Sequence, residues 1–370
     1  MLLHLKKILQ GKMREVVLHI GTQKTGTTSI QKCLKLNKDL LSSNSIFIPS
    51  SLDIGNGHHR WITSISNNDS YVDAFIANQQ FKTQNERINK VRVKKDNFIN
   101  EVEQSNTGKW IISCEHLQSE LKTIEEIGRL RNLLEKLFKK ITIILYIRKP
   151  ISSVVSMWST DIKFGAQYSE IPKPDNPFYE NIVNHKKTLE KWMSIFSKEQ
   201  IIVRRFQSNN FKNGNLIEDF FEASGIEFKK DFLMPERENQ SLSFLGIKAL
   251  GYINKYIPFF VKKDDYVNGV ARNEERGLLM KYIEKFTLNG EKYLPTKEVY
   301  MSYENFYEES TEWVRREFFP SDSKLWNISE KKEYQEIVDP KISPSEQMLL
   351  NMIIRLWKEK MELISKVSSK

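Results

Sequence analysis

The stretch VVLHIGTQKTGTTSIQKCL, Val16 to Leu34, decides how the rest of the chain is read. An apolar, β-branched run ends at Gly21, small residues follow, and from Thr27 onward Ile30, Cys33 and Leu34 recur at helical spacing. That is the pattern of a buried strand, a loop and a helix. The first N–H groups of such a helix have no intrahelical partner and its dipole adds positive potential, so the backbone from Lys24 to Thr28 forms an anion site. The hydroxyls of Thr25, Thr27 and Thr28 add donors. Gly21 and Gly26 have the glycine separation of the nucleoside-triphosphate loop G-x-x-x-x-G-K-[ST], but Thr27 stands in the lysine position and the lysine, Lys24, lies inside the loop. A phosphate-bearing ligand is expected, gripped differently from a triphosphate.

Outward from this loop, strand-like and helical runs alternate. REVVLHI precedes the loop, a helix is expected over Thr27 to Ser43, and SIFIPS reads as a short strand. A polar region, His58 to Asn106, holds one lysine-rich helix. KWIISCE and KKITIILYIR are apolar runs of the kind buried on both faces of a parallel sheet, separated by a helix over Thr123 to Lys139. A helix follows Pro150, another is expected over Asn181 to Phe196, then the strand QIIVRRF and a helix over Leu216 to Ser224 that stops at Gly225. This periodicity predicts an α/β fold, a P-loop-like doubly wound parallel sheet flanked by helices, with its ligand crevice at the carboxyl ends of the strands. Beyond Gln240 the pattern is helical and charged, with no further strand expected, and PSEQMLLNMIIRLWKEKMELISKV reads as an amphipathic helix packed on the domain or on a second subunit. The organisation expected is a basic tail over 1–13, an α/β domain over 14–330 with helical elaboration from about 240, and a helical C-terminal extension over 331–370.

A chain of 370 residues, 39% hydrophobic, can bury a core of that size. Its net charge of +10 suits anionic ligands, nucleic acid or an acidic membrane surface without choosing among them. Cys33 and Cys114 have no metal-ligand spacing, so neither a disulfide framework nor a zinc site is indicated and a reducing cytoplasm is the expected location. The opening MLLHLKKILQGK is too short and too interrupted for a membrane span and lacks a secretory cleavage site. Peripheral association with a membrane surface is the second expectation for it. Oligomeric state is not readable.

A second stretch, ILYIRKPISSVVSMW, ends a strand in Arg148, where a triphosphatase strand often ends in a magnesium-binding aspartate. Arg148, with a serine hydroxyl one or two turns along the following helix, can grip a second phosphate by a charge-assisted fork and a neutral donor.

Together the two stretches resemble the nucleotide-binding elements of the sulfotransferase superfamily. TQKTGTTSIQ is similar to its P-K-x-G-T-T loop, which holds the phosphosulfate end of 3′-phosphoadenosine 5′-phosphosulfate (PAPS), and RKPISSVVS to its R-x-P motif with a serine eight residues after the arginine. Fainter similarity to the bacterial glycan and lipid-type branch runs through VRRFQSNNFKNGNLIEDFFEASGI and ENQSLSFLGIKAL, so that Arg14 to about Trp326 is covered. Gln23 replaces the family's common proline, and the C-terminal R-K-G segment of the cytosolic branch has no match.

The resemblance implies a transferase that moves a sulfuryl group from PAPS to a hydroxyl or amine of a carbohydrate or glycolipid, without metal, releasing adenosine 3′,5′-bisphosphate (PAP). It implies that Lys24 stabilises the leaving phosphate, that Gln23, Thr25, Gly26, Thr27 and Thr28 line the 5′-phosphate site, and that Arg148 and Ser156 read the 3′-phosphate.

The acceptor's proton needs a base. His58 and His59, in GNGHHRWI after the second strand, are candidates, and Glu115, ending WIISCE, is the rival. Glu115 could instead pair with Lys24 or Arg148. Strand alternation places His116 on the other face. His19, Trp158 and Trp192 read as packing residues. The alternatives are a P-loop kinase or nucleotide hydrolase, disfavoured by the missing Gly-Lys-Thr order and the strand ending in Arg148, and a basic nucleic-acid-binding protein. A nucleic-acid partner is not expected, because no recognition motif accompanies the charge.

Overall fold

A computed structural model describes residues 14–67, 73–79, 81–105, 108–167, 170–236, 242–262, 270–287, 290–326, 332–336 and 342–368. The expected tail over 1–13 lies outside the described residues.

Five strands form one parallel sheet in the order β2-β3-β1-β4-β5: β1 Glu15–His19, β2 Ile46–Phe47, β3 Lys109–Ser113, β4 Lys140–Ile147 and β5 Ile201–Arg205. The opening motif occupies the centre, with Val17 registered against Ile111 on one side and Thr142 on the other. Alternation along the strands feeds two cores. Val16, Leu18, Trp110, Ile112, Ile143 and Leu145 pack on one face, while Val17, Ile111, Ile144 and Tyr146 pack on the other against Ile30, Cys33 and Leu34 of helix α1, Thr27–Leu36. Neither face is free for water, and so the strands read as continuous apolar runs.

Several expected helices are shorter than their apolar periodicity. The run Thr27 to Ser43 breaks at Asn37, whose side chain donates to the Cys33 and Leu233 carbonyls and accepts from Leu233 N–H. A polar side chain that satisfies a distant segment there ends α1 and starts a separate helix, Lys38–Ser43. Likewise Asn181 to Phe196 divides into Pro177–Val183 and His185–Met193, because the Asn184 side chain caps the second helix at Lys187 N–H. The SIFIPS strand shrinks to the two residues of β2 at the sheet edge.

Helix Ile124–Leu137 is fixed by a Thr123/Glu126 capping box. Pro150 opens helix α2, Pro150–Lys163, where a missing N–H costs nothing. The expectation of no strand beyond Gln240 is corrected by an antiparallel hairpin, β6 Phe260–Lys262 and β7 Val270–Arg272. Its strands of three residues are too short to show a period. The C-terminal helix, Pro344–Ser368, lays Leu350, Ile354 and Trp357 on Tyr252, Ile253, Ile257 and Leu279. No helix among the described residues is long and apolar enough to cross a membrane.

His19, Trp158 and Trp192 are buried packing residues. His19 Nδ1 lies 2.9 Å from Ser113 Oγ, and burial pushes its imidazole down to about 4.

Candidate active site

The loop that joins β1 to α1 is shaped by two glycines. Gly21, at φ 107°, passes so close to the end of β3 that a Cβ there would stand 3.0 Å from the Glu115 Cα. Gly26, at φ 73°, would put a Cβ 2.3 Å from Leu216 Cδ2. Lys24 also occupies the left-handed region, at φ 65°. For a residue with a Cβ this costs roughly 1–2 kcal/mol, so something must hold it.

Arg148, directly beyond β4, does so. Its Nη1 donates to the Lys24 carbonyl oxygen at 2.9 Å, and its guanidinium lies over the Phe206 ring at 5.5 Å. The two motifs thus meet at the carboxyl ends of neighbouring strands. No side chain among the described residues caps the N-terminus of α1. Among the described residues, no backbone carbonyl accepts from the N–H groups of Thr25 to Thr28. Neither Lys24 nor Arg148 is ion-paired with a described carboxylate. Burial lowers the Arg148 guanidinium to about 10, and it lowers the Lys24 ammonium too, with Lys163 and Arg148 adding to the effect and Asp161 and Glu115 opposing it. Two partly desolvated cations beside open N–H groups make a site that gains free energy when an anion enters.

The remaining loop residues divide by what their side chains already do. Thr27 is buried at the helix start and Thr28 is exposed. Thr25 Oγ1 donates to the Thr22 carbonyl at 2.6 Å, which corrects its expected side-chain role: the hydroxyl proton closes the loop on itself. Gln23 Nε2 donates to Ser119 Oγ at 2.9 Å and ties the loop to the segment after β3. Ser156 is half-buried two turns along α2, and no bond joins it to Arg148 among the described residues.

The base candidates separate clearly. His59 is fully buried, its Nδ1 accepts from Ser113 N–H at 2.9 Å, and burial lowers it to about 3. It cannot meet an acceptor, and its expected role is withdrawn. His58 is partly open, with Nε2 3.5 Å from Glu115 Oε2 and 3.7 Å from Cys114 Sγ. Burial would lower its imidazole, but Cys114 and then Glu115 outweigh that and raise it. Glu115 pairs with His58 rather than with Lys24 or Arg148, and its Oε2 also accepts from Gln31 Nε2 at 2.7 Å. Burial raises this carboxyl, yet His58, His116 and its hydrogen bonds bring it down to about 2.

His116 lies beside these groups, contrary to strand alternation. β3 ends at Ser113 and Glu115 begins a short helix, His116–Glu120, so the turn carries His116 over His58 with ring centroids 5.5 Å apart and an interplanar angle of 23°. Asp161, which accepts from Tyr179 Oη at 2.5 Å, acts on Lys24 electrostatically and was not legible from any motif. A separate cavity of about 860 Å³ lies beside Lys149, Tyr300 and Trp326; Lys24, His58, Glu115 and Arg148 do not line it.

No family model matches the chain. An uncharacterised protein of Archaeoglobus fulgidus is 25% identical over 213 residues, which is 52% of this chain, and the chain spans 55% of that relative's length. Two solved structures are similar. One is a sulfotransferase from Alicyclobacillus acidocaldarius, with 12% identity, a TM-score of 0.37, and coverage of 60% of this chain and 85% of that one. The other is the sulfotransferase domain from the curacin biosynthetic pathway, with 13% identity, a TM-score of 0.34, and coverage of 76% of this chain and all of that domain.

Proposed function

We propose that the chain is a sulfotransferase that uses PAPS as donor and a hydroxyl, most simply of a carbohydrate or glycolipid, as acceptor. The observation that carries this reading is the bond from Arg148 Nη1 to the Lys24 carbonyl, which supports one ligand with an anionic group at each cation. The open N–H groups of Thr25 to Thr28 would hold the 5′-phosphate, and Arg148, with Ser156 from the helix that follows it, would take the 3′-phosphate.

In this reading His58 accepts the proton at the ring nitrogen that does not face Glu115, as the acceptor oxygen bonds to sulfur in line. The bond from sulfur to the bridging oxygen breaks, and the electron pair stays on the phosphate that Lys24 stabilises. Glu115, held by Gln31, orients His58. No other reactant is required, and the acceptor leaves as its sulfate ester. A sulfuryl group carries less negative charge than a phosphoryl group, so the site can work with one loop lysine where kinases use lysine and magnesium.

The test is transfer from sulfur-labelled PAPS to a panel of glycans and glycolipids. Label incorporation that Lys24→Ala abolishes supports the assignment, whereas magnesium-dependent ATP turnover with no incorporation would replace it with the kinase reading.

A further inference from the structure

Three side chains beside the nucleotide grip have no shared task in donor binding: His58, Glu115 and His116, whose ligand atoms all lie within 4.8 Å of one another. We propose that they form a binding site for a divalent transition metal of the zinc type. This goes beyond the transfer reading and does not depend on it.

The donor set is two imidazoles and one carboxylate, a combination that suits zinc with a fourth position left open. Neutral imidazole favours such a metal over magnesium or calcium, which prefer oxygen ligands. The spacing agrees. Two ligands about 2.0–2.1 Å from a tetrahedral centre stand about 3.3–3.4 Å apart, and His58 Nε2 lies 3.5 Å from Glu115 Oε2.

Outer contacts agree as well. Gln31 Nε2 donates to Glu115 Oε2 at 2.7 Å, which is how a ligating carboxylate is held in place. His116 Nδ1 is buried and has no hydrogen-bond partner, its nearest carboxylate oxygen, on Glu120, being 3.8 Å away. An orphaned buried ring nitrogen on a residue of this cluster is the kind of group that a bound ion accounts for. Two of the donors are adjacent in sequence at the β3 turn and the third comes from the loop after β2, so folding must bring them together. Neither cysteine is needed, which is why cysteine spacing does not reveal the site. A filled site leaves His58 no lone pair for a proton, so the metal would oppose the transfer step rather than assist it.

The test uses the full chain and cobalt(II) as a coloured stand-in for zinc. Cobalt titration should develop ligand-field bands that saturate at one equivalent, disappear on adding zinc and ignore magnesium. His116→Ala should abolish saturation while its far-ultraviolet circular dichroism matches the parent, and Gln31→Ala should weaken cobalt binding about tenfold or more. Absence of bands in the parent, or bands that survive His116→Ala, would overturn the site. Should His116→Ala fail to fold, X-ray absorption of the zinc-loaded parent decides: two imidazoles and no sulfur are expected, and a sulfur ligand or fewer than two imidazoles refutes the assignment. None of these measurements needs turnover, so they can fail while the sulfotransferase reading stands, and the reverse.

Discussion

Arg148 reaches across from the end of β4 and donates a hydrogen bond to the carbonyl oxygen of Lys24, 2.9 Å away. The contact joins the two motifs into one site and holds Lys24 at φ 65°, a conformation that a side chain resists. It also leaves guanidinium N–H groups beyond Nη1 available to a ligand.

Arg148→Ala should therefore weaken PAP binding by one to two orders of magnitude, corresponding to about 1.5–3 kcal/mol for a hydrogen-bonded charge. Arg148→Lys should recover only part, since an ammonium cannot reproduce the fork that serves both Lys24 and a phosphate. Calorimetric titration with PAP measures both, and an unchanged affinity in the alanine variant would exclude the 3′-phosphate role.

Lys24→Gly separates chemistry from folding. Glycine accepts φ 65° without a Cβ clash, so melting temperature should hold or rise while turnover at saturating donor falls by about 10²–10³-fold. Turnover near the parent value would remove Lys24 from the leaving-group role.

His58 and His59 are adjacent in sequence and should fail differently. His58→Ala should lower turnover by roughly 10²–10⁴-fold with little change in melting temperature. His59→Ala should lower the melting temperature, because it leaves the Ser113 N–H without its acceptor in a dry core. Equal melting temperatures with equal loss of turnover would contradict this division.

Acid should destabilise the fold through His19 and His185. Burial holds each imidazole at about 4 in the folded chain, below its ordinary value near 6.5. The unfolded state then binds more protons, so stability present above pH 6.5 is lost as pH falls from there toward 4. Between pH 6.5 and 5 this amounts to roughly 2 kcal/mol for each histidine. Urea unfolding at several pH values should show a shallower dependence in His19→Gln and His185→Gln than in the parent; parallel curves would show that these imidazoles are not buried neutral.

The parallel sheet and the strand–loop–helix turn at Gly21 to Thr28 were legible in the sequence because each rests on a short-range signal: apolar β-branched runs, and glycine, lysine and threonine at a strand-to-helix boundary. The place of Arg148 directly after a strand was legible for the same reason. What was not legible depended on tertiary partners. Asn37 and Asn184 break helices by bonding to distant or capping groups, and neither break disturbs the apolar period. Thr25 looked like a ligand donor until Thr22 proved to be its acceptor. The ring stack of His116 on His58 required knowing that β3 ends at Ser113, so that strand alternation does not govern His116.

The most direct measurement of the shared anion site compares the thermal stabilisation given by PAP with that given by adenosine 5′-monophosphate and by ATP with magnesium, in the parent and in Arg148→Ala. PAP should protect the parent most, by about 2.7 kcal/mol at a hundredfold excess over its dissociation constant, and its advantage over the monophosphate should vanish in the variant. Equal protection by PAP and the monophosphate in the parent, or an advantage that persists without Arg148, would contradict the account.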